Sequence, residues 1–307
     1  IVTNTVLAGA GGLSNGIWIA GGTLRAPFAF VYSNIFIGIG ATGSTFNPST
    51  SLTIGTNAEF RVDQPYVMTN DVIIEPGGNL THTANTTNEA YKMNLTVCGS
   101  LTVQPGGRVD VTGKGYAAAS GPSGGNYGAS HGGRGSGGYS CYGSIVTPTN
   151  IGSGGQYGAG GGAICLTVSG GITNNGLICA DGGPAIALNR TGAGGSIFLT
   201  LGTLDGTGII RANGGDAAGE SGGGRVALVL TNANVFTGPF PTALGPSAGA
   251  GAGTVYLRVA GQGPSDGALI IDNMGKTGFT DINSNVTDSV VGNVFIRNSA
   301  TLALFTN

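Results

Sequence analysis

Four apolar strands recur behind glycine clusters: GGGAICLTV, AGGSIFLTL, GGGRVALVL and AGAGTVYLRV. They place Ile164, Ile197, Val226 and Val255 at spacings of 33, 29 and 29 residues. A second pair, IIEPGGNL and TVQPGGRV, sets Pro76 and Pro105 29 residues apart. Self-similarity at such a period means that each unit is one layer unable to bury its apolar face alone, so layers must stack. Within a unit the apolar residues alternate, Ile164, Leu166 and Val168 on one face, Cys165 and Thr167 on the other, and period two means strand. The equivalent triplets Ile197, Leu199, Leu201, then Val226, Leu228, Leu230, then Val255, Leu257, Val259 would form aliphatic ladders with about 4.8 Å between layers. A further strand in NNGLICADGG and GTGIIRANGG aligns Cys179 with Arg211 and Asp181 with Asn213. The expected architecture is an all-β solenoid.

Repeats run from Leu52 to Val294 without a charged or Pro-rich linker, so residues 1–307 are expected to form a single unit. Its one irregularity is a Gly/Tyr-rich insertion at 113–162. Only 8% of residues are charged while 40% are hydrophobic, with 62 glycines, which is not the composition of solvated disorder. A net charge of −2 supplies no basic field, which excludes nucleic acid as a partner. No apolar run is long enough for a membrane-spanning helix. The chain opens at Ile1 without Met, as a processed or excerpted product would. The pattern starts near Val2 and still runs at Leu304 with no charged or helical cap, so both ends are expected to present unpaired backbone.

The glycines mark corners, and PGG at Pro76 and Pro105 fits a type II turn with Gly third. A phosphate-cradling loop would need a helix after it, and no helical period follows any of these clusters. In the insertion, Tyr127, Tyr139, Tyr142 and Tyr157 sit among glycines and are candidates for a contact surface, either on a projecting loop or packed along the stack or a neighbouring subunit. On the outer face, Phe198 and Tyr256 join them, in a row with Cys165 and Ala227. Cys98, Cys141, Cys165 and Cys179 form an even set without a CxxC, which favours disulfides over zinc and leaves three pairings open. Asn79, Asn85, Asn94, Asn189 and Asn285 each satisfy the N-glycosylation pattern. Among only 14 acids, Asp216 and Glu220 are the best local pair, with Asp181 one layer earlier near Arg190 and Arg211. No catalytic constellation emerges, neither paired carboxylates with a defined partner nor a nucleophile beside His82 or His131. The chain is therefore expected not to be an enzyme. No cofactor or metal is expected; calcium bound through a few oxygens of the Asp216–Glu220 segment is the alternative, but the segment lacks the Asp-bearing nonapeptide of calcium-loaded β-rolls.

The run GAGGSIFLTLGTLDGTGIIRANGGDAAGESGGGRVALVL, followed by AGAGTVYLRV and GALIIDN, resembles the repeat block of very large glycine-rich secreted or surface proteins of bacteria, similar to right-handed parallel β-helices. The resemblance extends over roughly Asn94 to Asn273. It implies a right-handed parallel β-helix, an extracellular or cell-surface location and a structural or adhesive role, and it brings no catalytic residues. Two functions are expected to compete, with a polysaccharide-acting enzyme ranked third behind them. One is a structural subunit whose copies stack head to tail into a filament or surface layer. The other is an adhesin or carbohydrate-binding stalk, with surface glycans as partners. They differ in whether the row Cys165, Phe198, Ala227, Tyr256 is covered by protein or open to a ligand.

Overall fold

The computed structural model describes residues 51–305 except Ala217. Within the first fifty residues it describes the strands Val6–Ala8, Ile17–Ile19, Thr23–Ala26, Ala29–Tyr32, Phe36–Ile39 and Thr45–Pro48. Ile1, Val2 and Asn307, where the sequence pattern begins and ends, lie outside the described residues. The described chain forms strands, turns and bends, with no helix long and apolar enough to cross a membrane. A 13-stranded sheet runs from Val6–Ala8 at one edge to Asn293–Arg297 at the other, and a 7-stranded sheet runs from Ile17–Ile19 to Ile209–Arg211. Side chains of both sheets meet in one core, with Leu52, Ile74, Leu166, Leu199 and Leu228 from the first and Phe60, Leu80, Val109, Ile178 and Ile210 from the second.

The repeat spacing reappears as strand register. Ile164 stands beside Ile197, Ile197 beside Val226 and Val226 beside Val255, while Val72 pairs with Leu101. At the corners, Gly78 N donates to Glu75 O at 2.9 Å and Gly107 N to Gln104 O at 2.8 Å. Gly77 and Gly106 carry φ of 80° and 84°, the left-handed third position of a type II turn.

The right-handed parallel β-helix is nonetheless not what forms. The strands build a mixed, largely parallel sheet together with four smaller sheets. Two departures break a uniform coil. The 12-residue strand Ala163–Asn174 pairs with both Met93–Val97 and Leu101–Val103, so one strand serves two short ones. After Arg258 the chain turns back, with Tyr256 Oη donating to Pro264 O at 3.0 Å and Gly263 N to the Asp266 carboxylate at 2.8 Å. Strand Ala268–Asp272 then returns antiparallel on Thr254–Arg258. The inward ladder stops there too, and Val259, expected inside, is exposed.

Backbone, rather than side chains, fills the space where the repeating strands begin. Gly195, Gly224 and Gly253 donate N–H to the carbonyls of Ala180, Ala212 and Ala243 at 2.7, 2.7 and 2.6 Å. The next residues, Ser196, Arg225 and Thr254, donate to Gly162, Gly195 and Gly224 at 3.0, 2.9 and 3.1 Å. A Cβ built on Gly195 would lie 1.9 Å from Gly162 O, and one on Gly253 1.7 Å from Gly224 O. The requirement for glycine here is close backbone approach.

The segment 113–162 does not project. Much of it is buried, and it knits three parts of the chain together. Gly161 N bonds Ala193 O at 2.9 Å, Gly133 N bonds Gly223 O at 2.8 Å, and Gly143–Ser144 pairs in parallel with Val286–Thr287. Arg134 forms an ion pair of 2.8 Å with the buried Asp281. Cys141 and Ile145 then close a second core over Ala227, Val229, Tyr256, Leu269 and Ile271 on the outer face of the large sheet. Arg225 is fully buried at this junction, where Nε donates to Tyr142 O at 2.9 Å and Nη1 to Thr254 Oγ1 at 3.0 Å. Burial lowers its guanidinium to about 10.

Gly195→Ala is expected to cost about 3 kcal/mol or more, because backbone on both sides must move. Gly261→Ala, with φ 85° and open space around it, should cost only the left-handed penalty of about 1 kcal/mol. Urea unfolding midpoints of the two variants check the difference. A pH dependence follows from the buried histidines. His82 and His131 each donate Nδ1–H to a carbonyl, Thr83 O and Gly194 O, both at 2.7 Å, and His82 Nε2 accepts Ala163 N–H at 3.2 Å. Burial lowers them from 6.5 to about 4 and about 3. The unfolded chain therefore binds protons first as pH falls below 6.5, and stability drops until the folded values are reached. Asp181, raised by burial from 3.8 to about 6, acts oppositely and gains stability as pH falls through that window. The net expectation is a loss on the order of 3 kcal/mol between about pH 7.5 and about pH 4.5. His82→Gln should flatten the slope of unfolding free energy against pH.

Candidate functional site

Strand Asn293–Arg297 ends the large sheet. Its neighbour Ala268–Asp272 is buried along its middle, whereas all five residues of Asn293–Arg297 are exposed, including Val294, Phe295 and Ile296. Among the described residues its backbone pairs with Ala268–Asp272 alone. Asn298 and Ser299, with φ 49° and 63°, turn the chain into Ala300–Leu304, which pairs only with Gly278–Ile282 among the described residues. Leu304 and Phe305 are exposed beside it. From Val290 to Phe305 the one charged side chain is Arg297, which lies 5.4 Å from the centre of the Phe295 ring. Edge strands are ordinarily blunted by charge, proline or a covering loop. Among the described residues this strand carries no proline and no covering loop, and its one charge, Arg297, stands at its last position, which leaves Val294, Phe295 and Ile296 uncharged and exposed. At the opposite edge, Val6–Ala8 has Ala29–Tyr32 as its one partner among the described strands.

A polar groove of about 420 Å³ opens beside the last strands of the 7-stranded sheet, lined by Asp181, Arg211, Asn213, Asp216 and Lys276 with Pro184, Leu244 and Pro246. The alignments expected from sequence hold here. Cys179 is in register with Arg211, and Asn213 N donates to Asp181 Oδ1 at 2.7 Å. Arg211 Nε lies 2.8 Å from Asp181 Oδ2, a charge contact in which the buried Nε still lacks an aligned acceptor. The acidic pair Asp216 and Glu220 separates. Asp216 turns into the groove with φ 54°, while Glu220 accepts a hydrogen bond of 2.8 Å from Ser136 in the Gly-rich segment. Lys276 escaped sequence reasoning because only the fold brings it to the wall of this groove, where its Nζ donates to Pro246 O. No group of three or more His, Cys, Asp or Glu side chains able to hold a metal occurs among the described residues.

The tyrosine candidates divide. Tyr127 is exposed, with the Arg190 guanidinium 4.8 Å from its ring centre, and Tyr139 and Tyr157 are half-buried. Tyr142 and Tyr256 are corrected from surface to interior. Tyr142 Oη donates to Ile151 O at 2.7 Å beside His131, and Tyr256 is packed under the second core. The row Cys165, Phe198, Ala227, Tyr256 is in register as expected. It is covered by the chain itself at Ala227 and Tyr256, and Phe198 packs at the rim. Of the sequons, Asn94, Asn189 and Asn285 are exposed and Asn79 is half-buried. Asn85 is buried, its amide donating to Tyr91 O and Lys114 O at 2.8 and 2.9 Å, so an oligosaccharyl group has no access to it in the fold.

The expected disulfides are also absent, since all four cysteines are free thiols. Cys141 belongs to the second core, and Cys179 is buried, 3.2 Å from Thr112 Oγ1, rather than on an outer surface. Burial raises both thiols to about 12 and that of Cys165 to about 11. Under native conditions a maleimide is expected to label Cys98 alone, and the remaining thiols only after unfolding. Mass spectrometry of the labelled peptides reads this directly. Compared with protein-family models, with curated proteins and with solved structures, the chain matches none.

Proposed function

We propose that this is an extracellular structural protein whose copies associate head to tail into a filament or surface layer. The exposed strand Asn293–Arg297 of one copy pairs with the edge strand Val6–Ala8 of the next. One observation carries the reading: a strand with Val294, Phe295 and Ile296 exposed at the edge of a large sheet, with no blunting charge on its apolar positions. Because the sheet is largely parallel, its two edges differ, and contact between unlike edges is heterologous and does not close on itself. Pairing would satisfy the free N–H and C=O groups of both edges and remove apolar side chains from water, at about 25 cal/mol for each Å² covered. The low charge of the surface suits close packing of copies. An adhesin using the outer aromatic row has less support, because the chain covers that row with its own residues 141–145.

Electron microscopy and sedimentation of the purified protein test the reading. Filaments or sheets are expected from the unmodified chain. The double variant Val294→Lys, Ile296→Lys, which places charge on the exposed edge without touching either core, should remain dispersed. Equal assembly of the variant, or a dispersed unmodified protein at high concentration, would overturn it.

A further inference from the structure

The groove beside the 7-stranded sheet is independent of the sheet edge and has a chemistry of its own. Its volume of about 420 Å³ lies within the range of small-molecule pockets. Its charges balance, two carboxylates on Asp181 and Asp216 against two cations on Arg211 and Lys276. An anionic ligand would meet the exposed Asp216 carboxylate, and a cationic one would meet Lys276 and Arg211. An apolar molecule would desolvate the Asp216 carboxylate and the Lys276 ammonium without pairing either. The complementary ligand is neutral and carries hydroxyls, each of which both donates and accepts. Part of the wall is already primed for this. Arg211, its side chain 40% exposed, is fixed in the wall by its 2.8 Å contact with Asp181. Lys276 Nζ donates to Pro246 O at 2.5 Å, which holds the ammonium at the groove wall with further protons to donate. Pro246, with Leu244 beside it, offers apolar surface for the C–H face of a sugar ring.

We propose that this groove is a binding site for a neutral saccharide of disaccharide size, held by hydroxyl contacts to Asp216, Lys276 and Arg211 and by ring contact with Pro246. No aromatic ring lines it, so a dissociation constant in the range of about 1 mM is expected. Calorimetric titration with cellobiose, maltose and mannobiose, alongside digalacturonate as the anionic comparison, tests the proposal. Saturable binding of at least one neutral disaccharide is expected, with a loss of about tenfold in Asp216→Gly and in Lys276→Met. Glycine suits the left-handed backbone at position 216, so the first variant removes the carboxylate without straining the fold, and circular dichroism confirms both variants. The proposal is overturned if no neutral disaccharide binds up to about 20 mM. Tighter binding of digalacturonate than of every neutral sugar, or binding unchanged in both variants, would overturn it equally.

Discussion

One contact sets the dimensions of the molecule: the glycine N–H that opens each repeat donating straight across to an alanine carbonyl at the end of the repeat before it, at Gly195–Ala180, Gly224–Ala212 and Gly253–Ala243. Two stretches of backbone can touch in this way only where no Cβ intervenes. The contact draws the start of each long strand against the end of each short one, and the alternating side chains beyond it fall into register as a consequence. Leu199 and Leu228 meet Ile178 and Ile210 in one core because the backbone on one side has been pinned. The Gly-rich segment 113–162 extends the same construction sideways. Its carbonyls and amides engage Ala193, Gly223 and Gly251 in place of solvent, as in Gly161–Ala193, Gly133–Gly223 and Gly251–Arg134.

The middle of the structure and its C-terminal edge obey different rules. In the middle, apolar faces are covered twice, inward by the facing sheet and outward by residues 141–145 with Val286. Arg225 joins these coverings, a buried cation held by a carbonyl and a hydroxyl rather than by a carboxylate. A buried charge in such a setting costs desolvation and returns geometry, here by fixing the carbonyl of Tyr142 over the strand start. At the edge, the same apolar alternation continues through Val294 and Ile296 with nothing laid over it. The proposed role rests on this contrast.

Strand register was legible because period and glycine position agree. The spacing of 29 residues predicts the pairing of Val226 with Val255, and the triplet ladders follow. The fold class was not legible from the same pattern. Nothing in AGQGPSDG announces that the chain will reverse, since glycine and proline permit an antiparallel return and a parallel step equally well. The second core did leave a trace: RVALVL is apolar on both faces, which is the signature of a strand covered on both sides, and all six of its residues are buried. The groove was legible only in part. Asp181, Arg211 and Asn213 come from the aligned repeats, but Lys276 arrives from outside them. Cys179 shows the limit of alternation, which assigns a side chain to a face and says nothing of burial on that face.

Joining layers through glycine peptide groups changes the thermal behaviour of such a protein. What is removed from water in the glycine rows is largely amide, and exposure of polar surface on unfolding lowers the heat capacity where exposure of hydrocarbon raises it. Relative to a domain of equal length built on side chains alone, the heat-capacity increment per residue is smaller, and the curve of stability against temperature is correspondingly flatter. Stability then declines gently on both cooling and warming, a property set by the choice of glycine at Gly195, Gly224 and Gly253 rather than by the size of the aliphatic core.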